Sequence, residues 1–407
     1  MSLKFRLASL AAFAVLATGL VSACSSSDDE DETTVKIGAL LPLTGALASY
    51  GETSEAALND LLKTLNKDSD AVELVIEDTK TDSATALSLL EDMHEDGISI
   101  VVGPFSSSEV TAVKQFADQN GMLLLSLLST ATSLAVPDNI YRFTPDDNFE
   151  GAAAAALAYA DGVRTVIAVN RDDPGNQGLQ DSFKTSFERL GGKVVPGLKY
   201  GADETNFDDE VQTIVNAINS NAGPEGELAV YLTAFAEVTS LFEAIVDKGG
   251  NVPGSVIWYG SDSVALSKEL VASAKASQFA ASVRYPNPIL GLRDADKAQW
   301  EPVNNRLAEE LGRTPDAFAL AAYDALNTAF QVMTNAGDRD LAGKKAELVS
   351  ITNSATGLTG PLRLNEAGDR AIGIYDFWSV CQKNGAWTWY RSATYDPTGG
   401  AKQLGPC

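Results

Sequence analysis

The sequence predicts an α/β protein of two lobes, each a doubly wound parallel sheet with helices on both faces. Three observations carry this expectation. The chain has 407 residues, too many for one compact core. Apolar runs of strand length alternate with helical runs, and these short runs are continuously apolar, as in strands buried on both faces. The series ends near residue 148 and then starts again, so the lobes read as two copies of one architecture.

The first strand covers 35–41 and is stopped by Pro42 and Gly45. A helix over 53–65 sets Ala56, Ala57, Leu58, Leu61, Leu62 and Leu65 on one side. Strands at 72–77, 98–102 and 122–126 follow, separated by helices at 84–93 and 108–120. The second series runs helix 150–161, strand 165–170, helix 178–190, strand 193–198 and helix 207–219. It continues with strand 228–232, helix 236–248 and strand 255–260. Helices at 301–311 and 317–335 come next, the latter with Phe318, Ala321, Ala322, Ala325, Phe330 and Met333 as an apolar face. Segments 362–364, 373–380 and 386–391 read as antiparallel strands.

Composition narrows the function classes. At 45% hydrophobic and 21% charged the chain is ordinary globular material, which excludes wholesale disorder, a collagen-like chain and a multi-span membrane protein. A net charge of −25 argues against nucleic acid, whose binding relies on clustered Lys and Arg. One histidine and three cysteines cannot make a His/Cys metal site of the usual kind, and no metal or cofactor is expected. No nucleophile elbow, phosphate loop or zinc-protease motif is present, so no enzyme is expected. His94 sits in a charged helix end and reads as a solvated side chain.

The N-terminus reads as an address. Lys4 and Arg6 precede an apolar run from Leu7 to Val21, short for a membrane span and suited to a signal peptide. Leu20-Val21-Ser22-Ala23-Cys24 resembles the lipobox of bacterial lipoproteins, which implies cleavage after Ala23 and lipid on Cys24. The alternative is an ordinary signal peptide with an incidental cysteine. Residues 24–34 contain five acids in a row, Asp28-Asp29-Glu30-Asp31-Glu32, and form an acidic linker that stays solvated. Loss of residues 1–23 removes Lys4 and Arg6 and no acid, taking the charge from −25 to −27. Such a surface is repelled by anionic lipid, so contact with the membrane would run through the lipid anchor alone. Cys381 and Cys407 are either two buried thiols or a disulfide; the oxidising environment of an exported protein favours the disulfide, worth about 3–4 kcal/mol.

Ligands of open α/β sheets bind outside the carboxyl ends of strands. Four such ends stand out. One is Gly103-Pro104-Phe105-Ser106-Ser107-Ser108, hydroxyl-rich and leading into a helix, where free backbone N–H groups favour anions. Another is Ser129-Thr130-Ala131-Thr132. The third is Pro42-Leu43-Thr44-Gly45 with Tyr50 beyond it, and the fourth is Ser261-Asp262-Ser263. Singly, Ser107 and Thr130 also read as helix caps and Asp262 as a turn residue. Together they set donors on one lobe against an acid on the other, the complement of a zwitterion.

At these residues the chain resembles the extracytoplasmic binding proteins of branched-chain amino-acid ABC importers. The resemblance runs from Val35 to about Arg391. It rests on residues 37–45, Val102-Gly103-Pro104 with its serines, residues 141–147, Ala322-Tyr323-Asp324-Ala325 and residues 360–364. It implies the type I periplasmic-binding (Venus-flytrap) fold with a three-crossover hinge. Lobe one would be 35–148 plus 286–352, and lobe two 149–285 plus 353–407. It implies that Ser107, flanked by Ser106 and Ser108, and Thr130, beside Ser129, hold a ligand carboxylate. A backbone carbonyl near Leu128 and the side chain of Asp262 would take the ammonium, and Tyr50 and Phe235 would supply aromatic walls. One position departs: Gly175 or Asn176 stands where the family places a tyrosine, so leucine or isoleucine specificity does not follow. The implied function is capture of a small amino acid or related molecule by a monomeric, lipid-anchored protein outside the cytoplasm, for delivery to an ABC permease. A non-transport sensor on the same fold is the alternative.

Overall fold

The computed structural model describes residues 34–407 apart from 70, 250, 251 and 254. The expected signal peptide, Cys24 and the linker up to residue 33 lie outside the described residues.

The first lobe is built on β1 (Val35–Leu41), β2 (Val72–Asp78), β3 (Ile100–Val102), β4 (Leu123–Ser126) and β5 (Ile140–Arg142). They lie in the order β2-β1-β3-β4-β5, all parallel. Helices α1 (Ala48–Leu65), α2 (Ser83–Glu95) and α3 (Ser107–Asn120) connect them. Adjacent strand residues face opposite cores, as a period of two requires. Val102 and Leu125 join α1 in one cluster, while Val101 and Leu124 join α2 and α3 in another. That double coverage is why these strands are apolar throughout.

The second lobe repeats the plan. Helix α4 (Asp147–Ala160) leads into β6 (Thr165–Arg171), α5 (Pro174–Arg189), β7 (Lys193–Tyr200), α6 (Asp208–Ser220), β8 (Leu228–Thr233), α7 (Val238–Asp247) and β9 (Ile257–Tyr259). The parallel order is β7-β6-β8-β9. Val230 and Trp258 pack on one side, Ala229, Tyr231 and Tyr259 on the other. Short helices α8 (Lys268–Ala272) and α9 (Ala274–Ser282) follow. Strand order reverses between β1 and β3 and again between β6 and β8, and each reversal opens a crevice at the carboxyl ends.

The chain then returns through β10 (Asn287–Leu290) to α10 (Lys297–Leu311), α11 (Ala317–Ala336) and α12 (Leu341–Ser354). Phe318, Ala321 and Ala325 of α11 complete the first lobe's core. The ribbon β11 (Thr356–Gly357) and β12 (Gly360–Pro361) precedes β13 (Tyr375–Lys383), β14 (Ala386–Asp396) and β15 (Gly400–Gln403). These last three form an antiparallel sheet with β10, and Tyr375, Phe377 and Ala393 pack into the second lobe. A disulfide between Cys381 and Cys407 ties the tail to β13. Residues 362–364, expected as a strand, make only an isolated bridge between Leu364 and Arg370.

Three crossovers join the lobes: the stretch between β5 and α4, the segment around β10, and the stretch between α12 and β13. Backbone bonds stitch them together. Arg142 N–H donates to Gly368 O at 2.9 Å, Arg370 N–H to Arg142 O at 3.0 Å, and Gly291 N–H to Ile374 O at 2.7 Å. The Arg142 guanidinium pairs with Asp369, both side chains being 1% exposed. Its Nη1 also donates to Ser129 O at 3.2 Å and Ala131 O at 2.8 Å. One side chain thus joins the first crossover, the third crossover and the loop after β4.

Four helices begin well before their expected starts, among them α10 at Lys297 rather than 301. Helix α4 starts at Asp147 rather than 150, because Asp146 caps it by accepting from Asn148 N–H. Helix α5 starts at Pro174 rather than 178, with Asp173 as cap and proline in the first turn. Helix α1 starts at Ala48 rather than 53. Its first turn runs against the preceding loop at Gly51, where a Cβ would lie 2.1 Å from the Pro42 carbonyl oxygen.

A candidate ligand site between the lobes

Helix α3 supplies the first element. Ser106 caps it by accepting from Glu109 N–H, and the Glu109 carboxylate bonds back to Ser106 N–H at 2.8 Å. Ser107 is therefore the first helical residue, and its hydroxyl faces the loop after β4. Ser107 Oγ accepts from Ser129 Oγ at 3.3 Å and from Ala131 N–H at 3.2 Å. With two bonds accepted, its own O–H is left to donate.

A small space lies next to it. Ser107, Leu128 and Thr130 line it from the first lobe; Asn176, Phe235, Asp262 and Ser263 line it from the second. Asn176 follows β6, Phe235 follows β8 and Asp262 follows β9, so the strand-end rule places all three. Asn176 Nδ2 is held by Asp173 at 2.6 Å, and its Oδ1 is buried without a partner among the described residues. Gly175, in the first turn of α5, approaches Ser107: a Cβ there would lie 3.3 Å from Ser107 Oγ. The space amounts to about 10 Å³, room for about one water. The lobes are shut on one another, and Phe235 and Ala265 of the second lobe pack into the first lobe's cluster.

The structure brings together Ser107, Leu128, Thr130, Phe235 and Asp262 of the residues expected from sequence. Ser129 stands behind Ser107 and Ser106 serves as the cap; neither they nor Ser108 line the space. Tyr50, expected as an aromatic wall, does not line it either. Its ring packs edge-on against Phe318 at 5.5 Å. Its hydroxyl crosses to the second lobe and donates to Asp262 O at 3.1 Å and Ala265 O at 3.0 Å. Tyr50 is a latch between lobes. Tyr50→Phe removes a donor worth about 1 kcal/mol and is expected to enlarge the radius of gyration of the ligand-free protein. Unchanged small-angle scattering would remove the latch role.

Two acids beneath the site were not singled out from sequence. Asp147 and Glu150 lie three apart in the first turn of α4, so they share a face. Asp262 N–H donates to Glu150 Oε1 at 3.1 Å. Both Asp147 oxygens are buried without a hydrogen-bond partner among the described residues. Asp147 also presses on α5, where a Cβ on Gly178 would lie 2.1 Å from its Oδ2. Burial drives the Glu150 carboxyl well above its ordinary range, with Asp262 and Asp147 adding to the rise. Burial does the same to Asp147, again with Asp262 adding and Arg142 opposing. Asp262 is pushed up to about 6 by burial, against the hydrogen bonds it accepts from Ser263 and Glu150. Burial thus raises all three carboxyls, and Asp262 and Glu150 act on one another. The arrangement can offer a hydroxyl donor on one side and a carboxylate on the other to one small polar molecule.

Comparison with known proteins agrees with this architecture. Residues 34–383 match the family described as Periplasmic binding protein. The chain belongs to that family. An uncharacterised protein of Methanocaldococcus jannaschii is 27% identical to this periplasmic binding protein over 95% of the chain and 97% of its own length. The leucine-, isoleucine-, valine-, threonine- and alanine-binding protein of Pseudomonas aeruginosa is 24% identical, covering 89% of the chain and 91% of its own length. Among solved structures, a leucine-binding protein of Thermotoga maritima superimposes with a TM-score of 0.71 at 20% identity, over 90% of this chain and 99% of that one. An R. palustris solute-binding protein in complex with 4-hydroxybenzoate gives 0.73 at 16% identity, over 89% and 97%. These likenesses show the type I fold with its two parallel-sheet lobes.

Proposed function

We propose that this periplasmic binding protein captures a small α-amino acid, or a close relative of one, between its lobes and delivers it to an ABC importer. The observation that carries the reading is the opposition of Ser107 and Thr130 to Asp262 across one small space. The Ser107 hydroxyl and the amides at the start of α3 suit a carboxylate, and Asp262 suits an ammonium. Lobe one, 35–148 plus 286–352, would take the anionic end. Lobe two, 149–285 plus 353–407, would take the cationic end. A space of about 10 Å³ admits no amino acid, so the lobes part to load and shut again around the ligand. Closure excludes water and strengthens both charged contacts. Related proteins are named for branched-chain and other small amino acids, which supports the class. Gly175 and Asn176 make the wall after β6 small and polar, which favours a small or polar side chain over leucine. The protein acts as a carrier with no reaction of its own, held outside the cytoplasm as a monomer by lipid on Cys24.

The test is ligand-induced stabilisation. Protein freed of co-purified ligand by unfolding and refolding is scanned by thermal shift against amino acids, amides and small carboxylates, aromatic acids included. A ligand at a hundredfold its Kd adds about 2.7 kcal/mol. Stabilisation by α-amino acids is expected. Stabilisation by aromatic or other carboxylates alone would reject the ammonium role of Asp262 and leave the carrier fold standing.

A further inference from the structure

The three crossovers meet at Arg370, whose side chain is 3% exposed. Nη1 donates to Phe143 O on the first crossover at 3.3 Å and to Thr359 Oγ1 at 2.6 Å. Nη2 donates to Thr359 O at 2.5 Å, and Nε has no partner among the described residues. Every acceptor is neutral. The carboxylate that acts on Arg370 from nearby is Asp324, and its oxygens are already taken by Leu358 N–H, Thr359 N–H and the Thr359 hydroxyl. A second guanidinium approaches from the segment after β10. A Cβ on Gly360 would lie 3.2 Å from Arg293 Cδ, 3.5 Å from Asp296 Oδ2 and 3.7 Å from Arg370 Nη2, so the two arginines flank this glycine with the acid that pairs Arg293 beside it. Arg293 has a partner, Asp296, at 3.4 Å. Burial pulls the Arg370 pKa down to about 10, and the like charge of Arg293 acts in the same direction. A buried cation without a hydrogen-bonded carboxylate is costly and attracts an anion.

Beside the two arginines lies a cavity of about 310 Å³. Arg293 and Arg370 line it together with Pro361, Ile372 and Ile374. Asp396 also lines it, with its Oδ1 engaged by Thr398 and Gly399 in its own turn. We propose that this cavity is a second binding site, at the hinge, for a small monocarboxylate with an apolar body. The carboxylate sits on the two guanidiniums, whose forks match it. Its carbons lie on Ile372, Ile374 and Pro361, and the Asp396 charge excludes a second negative group. The site is separate from the lobe cleft and does not depend on the ligand class proposed there.

The probes are butyrate, butyramide (nearly the same shape, uncharged) and inorganic phosphate (charge without an apolar body), each against chloride at constant ionic strength. In thermal shift on the purified protein, butyrate is expected to raise the melting temperature saturably, while butyramide and phosphate have no effect. Arg293→Gln and Ile372→Asp, both at accessible positions, are each expected to weaken butyrate at least tenfold. Ser107→Ala, at the carboxylate end of the cleft, should leave butyrate binding at the hinge unchanged. The site is overturned if butyrate does no more than chloride, if both hinge variants bind it as the parent does, or if Ser107→Ala abolishes the effect. Equal stabilisation by phosphate or butyramide overturns the ligand class.

Discussion

Asp262→Asn is expected to make the ligand-free protein more stable at pH 7.5 while weakening amino-acid capture about a hundredfold. Both effects come from one buried carboxylate. Its pKa is raised from 3.8 to about 6, so the folded state holds a proton that the unfolded state has already lost. The sign follows directly. Where the native state binds more protons, stability falls as pH rises. The penalty is absent below about pH 4, grows through the window from about 4 to about 6, and is complete above it. Two pKa units correspond to about 3 kcal/mol. Asn keeps the oxygen that accepts from Ser263 and removes the charge, so the variant should gain up to about 3 kcal/mol at pH 7.5 and nothing at pH 4. Melting curves of the two proteins across this range are the measurement. An equal gain at both pH values would show that the effect is packing and not ionisation. For a ligand ammonium, losing a charged partner costs about 3 kcal/mol, hence the hundredfold loss. The same carboxylate must be ionised to bind a cation, so affinity should also fall as the pH drops below about 6.

Arg142→Met should be the most destabilising of the substitutions considered. The guanidinium and Asp369 are almost fully buried, and breaking such a pair from one side costs about 3–5 kcal/mol, because the remaining charge is stranded. Asp369 is already pushed upward by burial, with Arg142 opposing the rise; without Arg142 it climbs further. Two carbonyls of the loop that carries Thr130 lose their donor as well. Chemical denaturation should therefore show a loss of several kcal/mol, and the double variant with Asp369→Leu should recover part of it. A loss below about 1 kcal/mol in Arg142→Met would show that the crossovers hold without this pair.

The strands and most helical faces were legible in the sequence because an apolar run buried on two faces is a local property. The site was legible only where it sits at strand ends. Ser107, Thr130 and Asp262 follow their strands directly, and the switch-point rule reaches them. Of the four helix starts read too late, three bear on the site: Tyr50 in α1, Asp147 in α4, Gly175 and Asn176 in α5. For α5 the signal was present, an Asp-Pro pair that caps a helix and opens its first turn. For Tyr50 there was none, since its hydroxyl partners lie more than 200 residues away. Glu150 was invisible for a similar reason. An acid in a first turn reads as a solvated partner of the helix dipole, and its burial depends on Asp262, 112 residues further on.

The latch at Tyr50 has a kinetic meaning. If the shut arrangement predominates in the free protein, a ligand meets a binding-competent molecule only during openings. The observed association rate is then the intrinsic rate scaled by the open fraction, and the apparent Kd is the intrinsic one divided by the fraction competent to bind. A hydroxyl that touches no ligand can thereby set the concentration at which the carrier half-fills. Two relatives with the same pocket could scavenge from very different concentrations, tuned by nothing more than how firmly an empty molecule stays closed.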